Sequence, residues 1–110
     1  MEDKLPKIIA VDFDGTLCED RYPEIGNPRL AVFEYLFHEK NVRGAKIILW
    51  TCRVNEHLKH ATAWCAEHGL YFDAVNTNLP EVIRTYGCDT RKIYADEYID
   101  DKNRMIGGKG

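Results

Sequence analysis

The sequence predicts an α/β fold of three layers, with a small central parallel sheet flanked by helices. Two short runs, Ile8–Val11 and Ala45–Trp50, are apolar without polar alternation, which is typical of strands buried on both faces. Segments with apolar residues at helical spacing follow these runs, so strands and helices alternate along the chain. The length of 110 residues, without repeat or linker, predicts a single domain over 1–110. Residues 1–6 and a glycine-rich, flexible 103–110 are expected to be tails.

The first two helices have recognisable signals at both ends. The first is predicted to begin at Asn27–Pro28, with Asn27 as N-cap, and to end at Gly44. Its buried face is predicted to hold Leu30, Phe33, Leu36 and Phe37. The second is predicted over residues 55–68, with Gly69 at its C-terminus.

The remaining segments are shorter. Residues 17–26 are polar and contain Pro23 and Gly26, which predicts a loop. Residues 70–75 are predicted to form a short third strand or the approach to it. Pro80–Tyr86 is predicted to form a short helix closed by Gly87, and Ala95–Ile99 a fourth strand. Asp96 would then be an acid inside a strand, where it is expected to bond near Lys92 or to a backbone N–H.

Composition disfavours several classes of function. A net charge of -3, from 15 basic and 18 acidic residues, does not indicate binding to nucleic acid. No apolar run has membrane-spanning length, and the first residues lack the apolar stretch of a signal peptide, so the cytoplasm is the expected location. The four cysteines form no C-x-x-C pair, and scattered Cys and His residues do not predict a zinc site. We therefore expect reduced thiols.

The main candidate for chemistry is the pair Asp12 and Asp14, which directly follows the first buried strand. Side chains two residues apart on an extended segment share a face, so both carboxylates are expected at the carboxyl end of that strand. Open α/β sheets bind their ligands at this edge. Two like charges there need a compensating cation or proton. The alternative is an Asp-Gly turn at Gly15 that merely leaves the strand.

The run Asp12-Phe13-Asp14-Gly15-Thr16 resembles the first signature of the haloacid dehalogenase superfamily of phosphotransferases. Candidates for the other signatures follow in the family's order: Thr51, Lys92, and the pair Asp100 and Asp101. The resemblance spans residues 8–101. It implies a Rossmann-like fold, here without a cap domain, because too few residues lie at either cap position. The five-stranded sheet common in the family is expected to stop at four strands, which leaves an edge strand that a partner could cover.

The resemblance also implies an activity, that of a phosphatase. Asp12 would attack phosphorus to form an aspartyl-phosphate, and Asp14 would act as general acid and then general base. Hard oxygen ligands favour Mg²⁺. By resemblance the ion would be held by Asp12, Asp100, the backbone carbonyl of Asp14, and Asp101 directly or through water.

Four further residues have candidate roles with the phosphorylated substrate. By resemblance, Thr51 and Lys92 would bind the transferring phosphate. Arg53 is a candidate for binding a substrate anion or, equally, for a salt bridge at the cleft rim. Arg21 could reach a substrate from the 17–26 loop or be a solvated loop residue.

Two other functions share these parts. A response-regulator receiver domain has an acidic Mg²⁺ pocket with Thr or Ser and Lys, but in a different order along the chain. The other alternative is a catalytically silent relative that acts as a binding module. The presence of the full set Asp12, Asp14, Thr51, Lys92 and Asp100 argues against it. The substrate is left open between small molecules and macromolecules, with nucleic acid disfavoured, and a second copy of the chain could cover the open cleft.

Overall fold

A computed structural model describes residues 5–101 of the chain. Of the predicted tails, 103–110 and most of 1–6 lie outside the described residues, whereas Leu5 packs against the core. The described part contains strands β1 (Ile8–Val11), β2 (Cys18–Arg21), β3 (Glu24–Pro28), β4 (Lys46–Leu49), β5 (Ala74–Val75) and β6 (Glu97–Ile99), and helices α1 (Leu30–Arg43), α2 (Asn55–Glu67) and α3 (Pro80–Tyr86). None of these helices is long and apolar enough to cross a membrane.

Four strands form one parallel sheet in the order β5-β4-β1-β6. β1 is flanked on both sides, and its ladder continues past the strand end. The amide of Asp12 donates to the carbonyl of Ile99 at 2.9 Å, and the amide of Trp50 donates to Val11 at 2.9 Å. The carboxyl ends of β1, β4 and β6 therefore meet at one edge of the sheet, as the sequence predicts.

The helices cover both faces of this sheet, which gives the predicted three layers in a Rossmann-like layout. Alternate residues of a strand point to opposite faces. Ile9 and Val11 of β1 belong to the cluster that includes residues of α1 and α2, whereas Ile8 and Ala10 pack with residues of α3. Every residue of β1 is buried, in agreement with its uninterrupted apolar sequence.

The predicted loop over 17–26 is wrong, because this segment forms an antiparallel hairpin of β2 and β3. Leu17 and Cys18 are fully buried at its base, and Ile25 packs against the same core cluster. The outer residues are exposed or half-buried, so the hairpin lacks the alternating apolar pattern by which a strand is recognised. Its position between Asp14 and α1 places it beside the end of β1.

The predicted start of the first helix is also wrong. Asn27 and Pro28 lie in β3, and α1 begins at Leu30 after Arg29, which makes no side-chain capping bond. Leu30 is exposed rather than core, because it precedes the first turn that reaches the sheet, whereas Phe33 and Leu36 are buried. The predicted end is correct, since Gly44 closes α1 with a φ of 67°.

The last two strands are shorter than predicted, and aspartates explain both ends. The third predicted strand is reduced to β5, because Asp73 turns to accept a hydrogen bond from the amide of Ile47 at 2.8 Å. Asp96 precedes β6 and accepts from the amide of Ile8 at 2.7 Å. Each carboxylate thus satisfies the amide of a neighbouring strand, and for Asp96 the expected backbone N–H partner is confirmed. α3 and its closing Gly87 are as predicted.

Asn78, in the turn between β5 and α3, binds the segment between α3 and β6. Its side chain is buried, donates to Asp89 Oδ1 at 2.8 Å, and accepts from the amide of Tyr94 at 2.6 Å. Asn78→Ala would leave that amide without its partner, so we expect a loss of about 2 kcal/mol in the free energy of unfolding, measured by urea denaturation. Asn41→Ala, on the exposed surface of α1, is the control. An equal loss in both variants would contradict this role.

Candidate functional site

Three carboxylates converge at the carboxyl edge of the sheet. Asp12 follows β1, and Asp100 and Asp101 follow β6; each offers an oxygen, and these atoms lie within 4.8 Å of one another. Gly15 makes room for this cluster with a φ of +84°, since a Cβ there would collide with the carboxylate of Asp101. Three of the four predicted metal ligands therefore meet at one point.

The surroundings of Asp12 favour its protonated form in the metal-free protein. Burial of the carboxyl, and then the nearby charges of Asp100, Asp101 and Asp14, raise the pKa of Asp12 from 3.8 to about 6, against a backbone hydrogen bond at Phe13 that lowers it. A bound cation would reverse this balance, because it removes the charge repulsion that the cluster creates.

Asp14 lies close to this cluster but has a different partner. Arg53 Nε and Nη2 donate to its two carboxylate oxygens, each at 2.8 Å, in a bidentate pair. Of the two interpretations of Arg53, the structure therefore shows the salt bridge. The partner of Asp14 also fixes the direction of its carboxylate.

Arg53 is one of the most buried side chains of the protein, with 2% of its surface exposed. Its guanidinium also donates to the carbonyls of Glu24 in β3 and His57 in α2, at 3.0 and 3.3 Å. It lies between the rings of Phe13 and Tyr22, 4.9 and 5.0 Å from their centroids. Bonding to Asp14 raises the pKa of Arg53 further above its ordinary value. Arg53 thus joins the hairpin, α2 and Asp14.

Thr51 lies two residues after the end of β4, the strand that pairs with β1. Its Oγ1 accepts from the amide of Arg53 at 3.1 Å, and its own amide donates to Asn76 Oδ1 at 2.8 Å. Asn76 was not among the predicted site residues. It has a φ of 57° and donates its amide to Leu49, so it binds the turn after β5 to the end of β4. An asparagine directly after a strand is the sequence signal by which it could have been found.

Two cavities open at this edge and share Asp12, Thr51 and Cys52. The Asp14 cavity has about 430 Å³ and is lined by Asp12, Asp14, Asp20, Tyr22, Thr51, Cys52 and Arg53. The Asp100 cavity has about 410 Å³ and is lined by Asp12, Trp50, Thr51, Cys52, Asn76 and Asp100. Together they form a cleft of a size that takes small molecules, roughly 300–1,000 Å³.

Two predicted site residues lie away from these cavities. Lys92 is exposed, and its Nζ is 5.5 Å from the ring centroid of Tyr98, beside a separate cavity next to α3. Arg21 is exposed on the hairpin, where its Nη2 lies 3.5 Å from Glu19 Oε1 in an ion pair. In the described structure neither lines the Asp14 or the Asp100 cavity, so their predicted contacts with substrate need a change of side-chain position.

The pKa of Asp12 predicts how Asp12→Asn changes stability with pH. Well below its ordinary pKa of 3.8 the carboxyl is protonated in both folded and unfolded chains, so its charge does not change stability. As the pH rises to about 6 the unfolded chain ionises first, and the native carboxyl destabilises the fold; above about 6 this effect is complete. We therefore expect that, with chelator present, Asp12→Asn gains stability relative to wild type between pH 4 and 6, measured by urea denaturation. A pH-independent difference would contradict the raised pKa.

The fold and this geometry can be compared with known structures. A conserved protein from Bacteroides thetaiotaomicron is 40% identical to this chain; the match covers 94% of this chain and 81% of the Bacteroides protein, with a TM-score of 0.77. The chain belongs to the family of that protein. The Bacteroides relative is described only as a conserved protein, so it supports the fold and assigns no activity. No protein-family model and no curated protein matches this chain.

Proposed function

We propose that this protein is a Mg²⁺-dependent phosphatase that hydrolyses phosphomonoesters through an aspartyl-phosphate on Asp12. The observation that carries the proposal is the convergence of Asp12, Asp100 and Asp101, whose oxygens lie within 4.8 Å of one another. The hydroxyl of Thr51 lines the same cavities as Asp12. Such a cluster of acids costs stability unless a cation compensates it, so a structure that retains it at a ligand-binding edge favours chemistry.

The resemblance to the haloacid dehalogenase superfamily supports the same assignment. Asp12 follows β1 and the pair Asp100 and Asp101 follows β6, the first and last strands of the parallel sheet along the chain. Thr51 follows β4, which pairs with β1, and this order is that of the family's signatures. The hairpin of β2 and β3 occupies the position at which that family carries a flap or a cap domain. A capless member of the superfamily is the form that this chain fits.

The donor set suits a hard divalent cation. Asp12, Asp100 and Asp101 supply carboxylate oxygens, the ligand type of Mg²⁺, and the described cluster contains no thiolate or imidazole. When bound, the ion would lower the repulsion between an anionic nucleophile and an anionic substrate. Asp14 is engaged by Arg53 through both carboxylate oxygens, so its predicted contribution to the metal is restricted to its backbone carbonyl.

The protein's own groups account for the remaining chemistry. Asp12 attacks phosphorus as the ester oxygen leaves, and Asp14 gives that oxygen a proton. For this step Asp14 is protonated, so one of its oxygens exchanges its bond with Arg53 for the ester oxygen while the other oxygen keeps its bond. Water then attacks the aspartyl-phosphate after losing a proton to Asp14, which restores both acids and releases phosphate. The Thr51 Oγ1 accepts from the amide of Arg53, which leaves its hydroxyl proton for donation to a phosphoryl oxygen. Lys92 would assist only after its side chain leaves the ring of Tyr98.

Release of phosphate from an aryl phosphate tests this function. We expect hydrolysis with Mg²⁺ that stops when a chelator is added and resumes when Mg²⁺ is restored in excess. Asp100→Asn should raise the Mg²⁺ concentration needed for half-maximal rate by about 10-fold or more, since it removes one of three carboxylates. Glu34→Gln, on the exposed surface of α1, is the control. Hydrolysis that is indifferent to both the chelator and Asp100→Asn would contradict the proposal.

A further inference from the structure

The hairpin contributes a wall to the lining of the Asp14 cavity. Asp20 and Tyr22 line it, together with Cys52 from the turn after β4. If a phosphate group lies at Asp12 and the rest of the substrate occupies the Asp14 cavity, that part of the substrate lies against this wall. The hairpin residues are therefore the ones in position to contact the group that leaves when the phosphate is removed.

The ring of Tyr22 is held in place but keeps an open face. Its centroid is 5.3 Å from that of His57 in an edge-to-face arrangement, and the guanidinium of Arg53 lies 5.0 Å from it. The residue is nevertheless 55% exposed. A positioned aromatic ring with a free surface packs well against the C–H face of a small cyclic or aliphatic group.

Asp20 lies two residues before Tyr22 and orients the turn, since its Oδ1 accepts from the amide of Tyr22 at 3.3 Å. Its carboxylate is exposed at the cavity rim and is an acceptor only. The lining of the Asp14 cavity contains three carboxylates and, as its one cation, Arg53, which is bonded to Asp14. A second anionic group on the substrate would meet Asp20 with no free cation in this lining, whereas hydroxyl groups would find an acceptor.

We infer that the leaving group of the substrate is a neutral sugar or other polyol, with its carbon face on Tyr22 and its hydroxyls donating to Asp20. This inference rests on the proposed phosphatase function and assigns it a substrate class. It excludes nucleoside diphosphates, phosphorylated acids and acidic phosphopeptides as preferred substrates.

Turnover of matched phosphomonoesters tests the inference. Glucose 6-phosphate and ribose 5-phosphate have neutral polyol leaving groups, n-butyl phosphate lacks further hydroxyls, and 3-phosphoglycerate carries a second anion. We expect the better sugar phosphate to exceed n-butyl phosphate by about 10-fold or more in kcat/KM. A hydrogen bond to a charged acceptor stabilises a complex by an amount that corresponds to at least this ratio. Asp20→Asn should remove most of that advantage by lowering kcat/KM for the sugar phosphates, and it should raise kcat/KM for 3-phosphoglycerate.

Tyr22→Leu should lower kcat/KM for the sugar phosphates about 5-fold or more, since it removes the ring face. Glu56→Gln and Tyr71→Leu change an exposed carboxylate and an exposed tyrosine away from the cavity and should have no effect on selectivity. Equal kcat/KM for all four phosphates, an Asp20→Asn variant with unchanged selectivity, or a preference for a nucleoside diphosphate or phosphopeptide would each overturn the inference.

Calorimetry separates failure of this inference from failure of the proposed function. Wild type, Asp12→Asn and Asp20→Asn are titrated with the same sugar phosphates and with n-butyl phosphate in the presence of Mg²⁺. Tighter binding of a sugar phosphate that is lost in Asp20→Asn supports the polyol site even if no phosphate is released from any ester, in which case the phosphatase function is wrong. Equal or absent binding of both compounds overturns the polyol site.

Discussion

Arg53→Met is expected to destabilise the protein by about 3 kcal/mol, because it leaves the carboxylate of Asp14 without its bidentate partner. The replacement keeps an unbranched apolar stem between Phe13 and Tyr22 but removes the bonds to the carbonyls of Glu24 and His57. Urea denaturation measures the loss. Arg84→Met, at the exposed end of α3, is the matched control and should change stability little.

The same variant should reveal whether Arg53 positions Asp14 for proton transfer. General acid catalysis contributes about 10²–10⁴-fold and matters most for a poor leaving group. We therefore expect Arg53→Met to lower kcat for an alkyl phosphate by about 10²-fold and to affect an aryl phosphate much less. Combining it with Asp14→Asn should give no additional loss on the alkyl substrate, since the two residues act as a unit. Equal losses on both substrates would show that Arg53 only maintains the fold.

Asp12→Asn is expected to remove turnover almost completely, by about 10³-fold or more, while the fold is retained. The amide is close in size to the carboxylate but is not a nucleophile for phosphorus, and removal of a nucleophile generally has an effect of this order. Retention of the fold follows from the geometry, because the backbone amide of Asp12, not its side chain, extends the ladder to Ile99. Phosphate release and circular dichroism measure the two quantities. An active Asp12→Asn variant would exclude Asp12 as nucleophile.

Much of the sheet could be predicted because its strands are short and wholly apolar. Ile8–Val11 has no alternation to obscure its burial on both faces, and a parallel strand order brings the residues that follow it to one edge. The meeting of Asp12 with Asp100 and Asp101 is a consequence of that topology. Because Asp12 is far from Asp100 and Asp101 along the chain, only the family resemblance indicated that these three residues meet.

The hairpin could not be predicted from periodicity. Its strands are held by backbone pairing, by two buried residues at the base, Leu17 and Cys18, and by Ile25 against the core, while its other residues are exposed or half-buried. A two-stranded ribbon with a polar exterior has the composition of a loop. The predicted start of α1 was therefore also wrong, because Asn27 and Pro28 are residues typical of a helix start but here lie in β3.

The role of Arg53 was open in the sequence because a single arginine after a strand can face a substrate or a carboxylate. Its burial is decided by tertiary contacts from three elements, namely the hairpin, α2 and the loop after β1. Asp14 and Arg53 are 39 residues apart, so no local pattern reports their pairing. The position of Lys92 over Tyr98 is likewise a packing result that sequence order does not contain.

The most direct test of the central claim is to detect the phosphoryl group on Asp12. Asp14→Asn should allow the first step with an aryl phosphate, whose leaving group needs no acid, but slow the second step, which needs a base. After reaction with Mg²⁺ and acid quenching, mass spectrometry should find one phosphoryl group on the peptide that contains Asp12, and none in the Asp12→Asn, Asp14→Asn double variant. Wild-type turnover with no phosphoryl group on Asp12 of Asp14→Asn, or with the group on another residue, would contradict the claim.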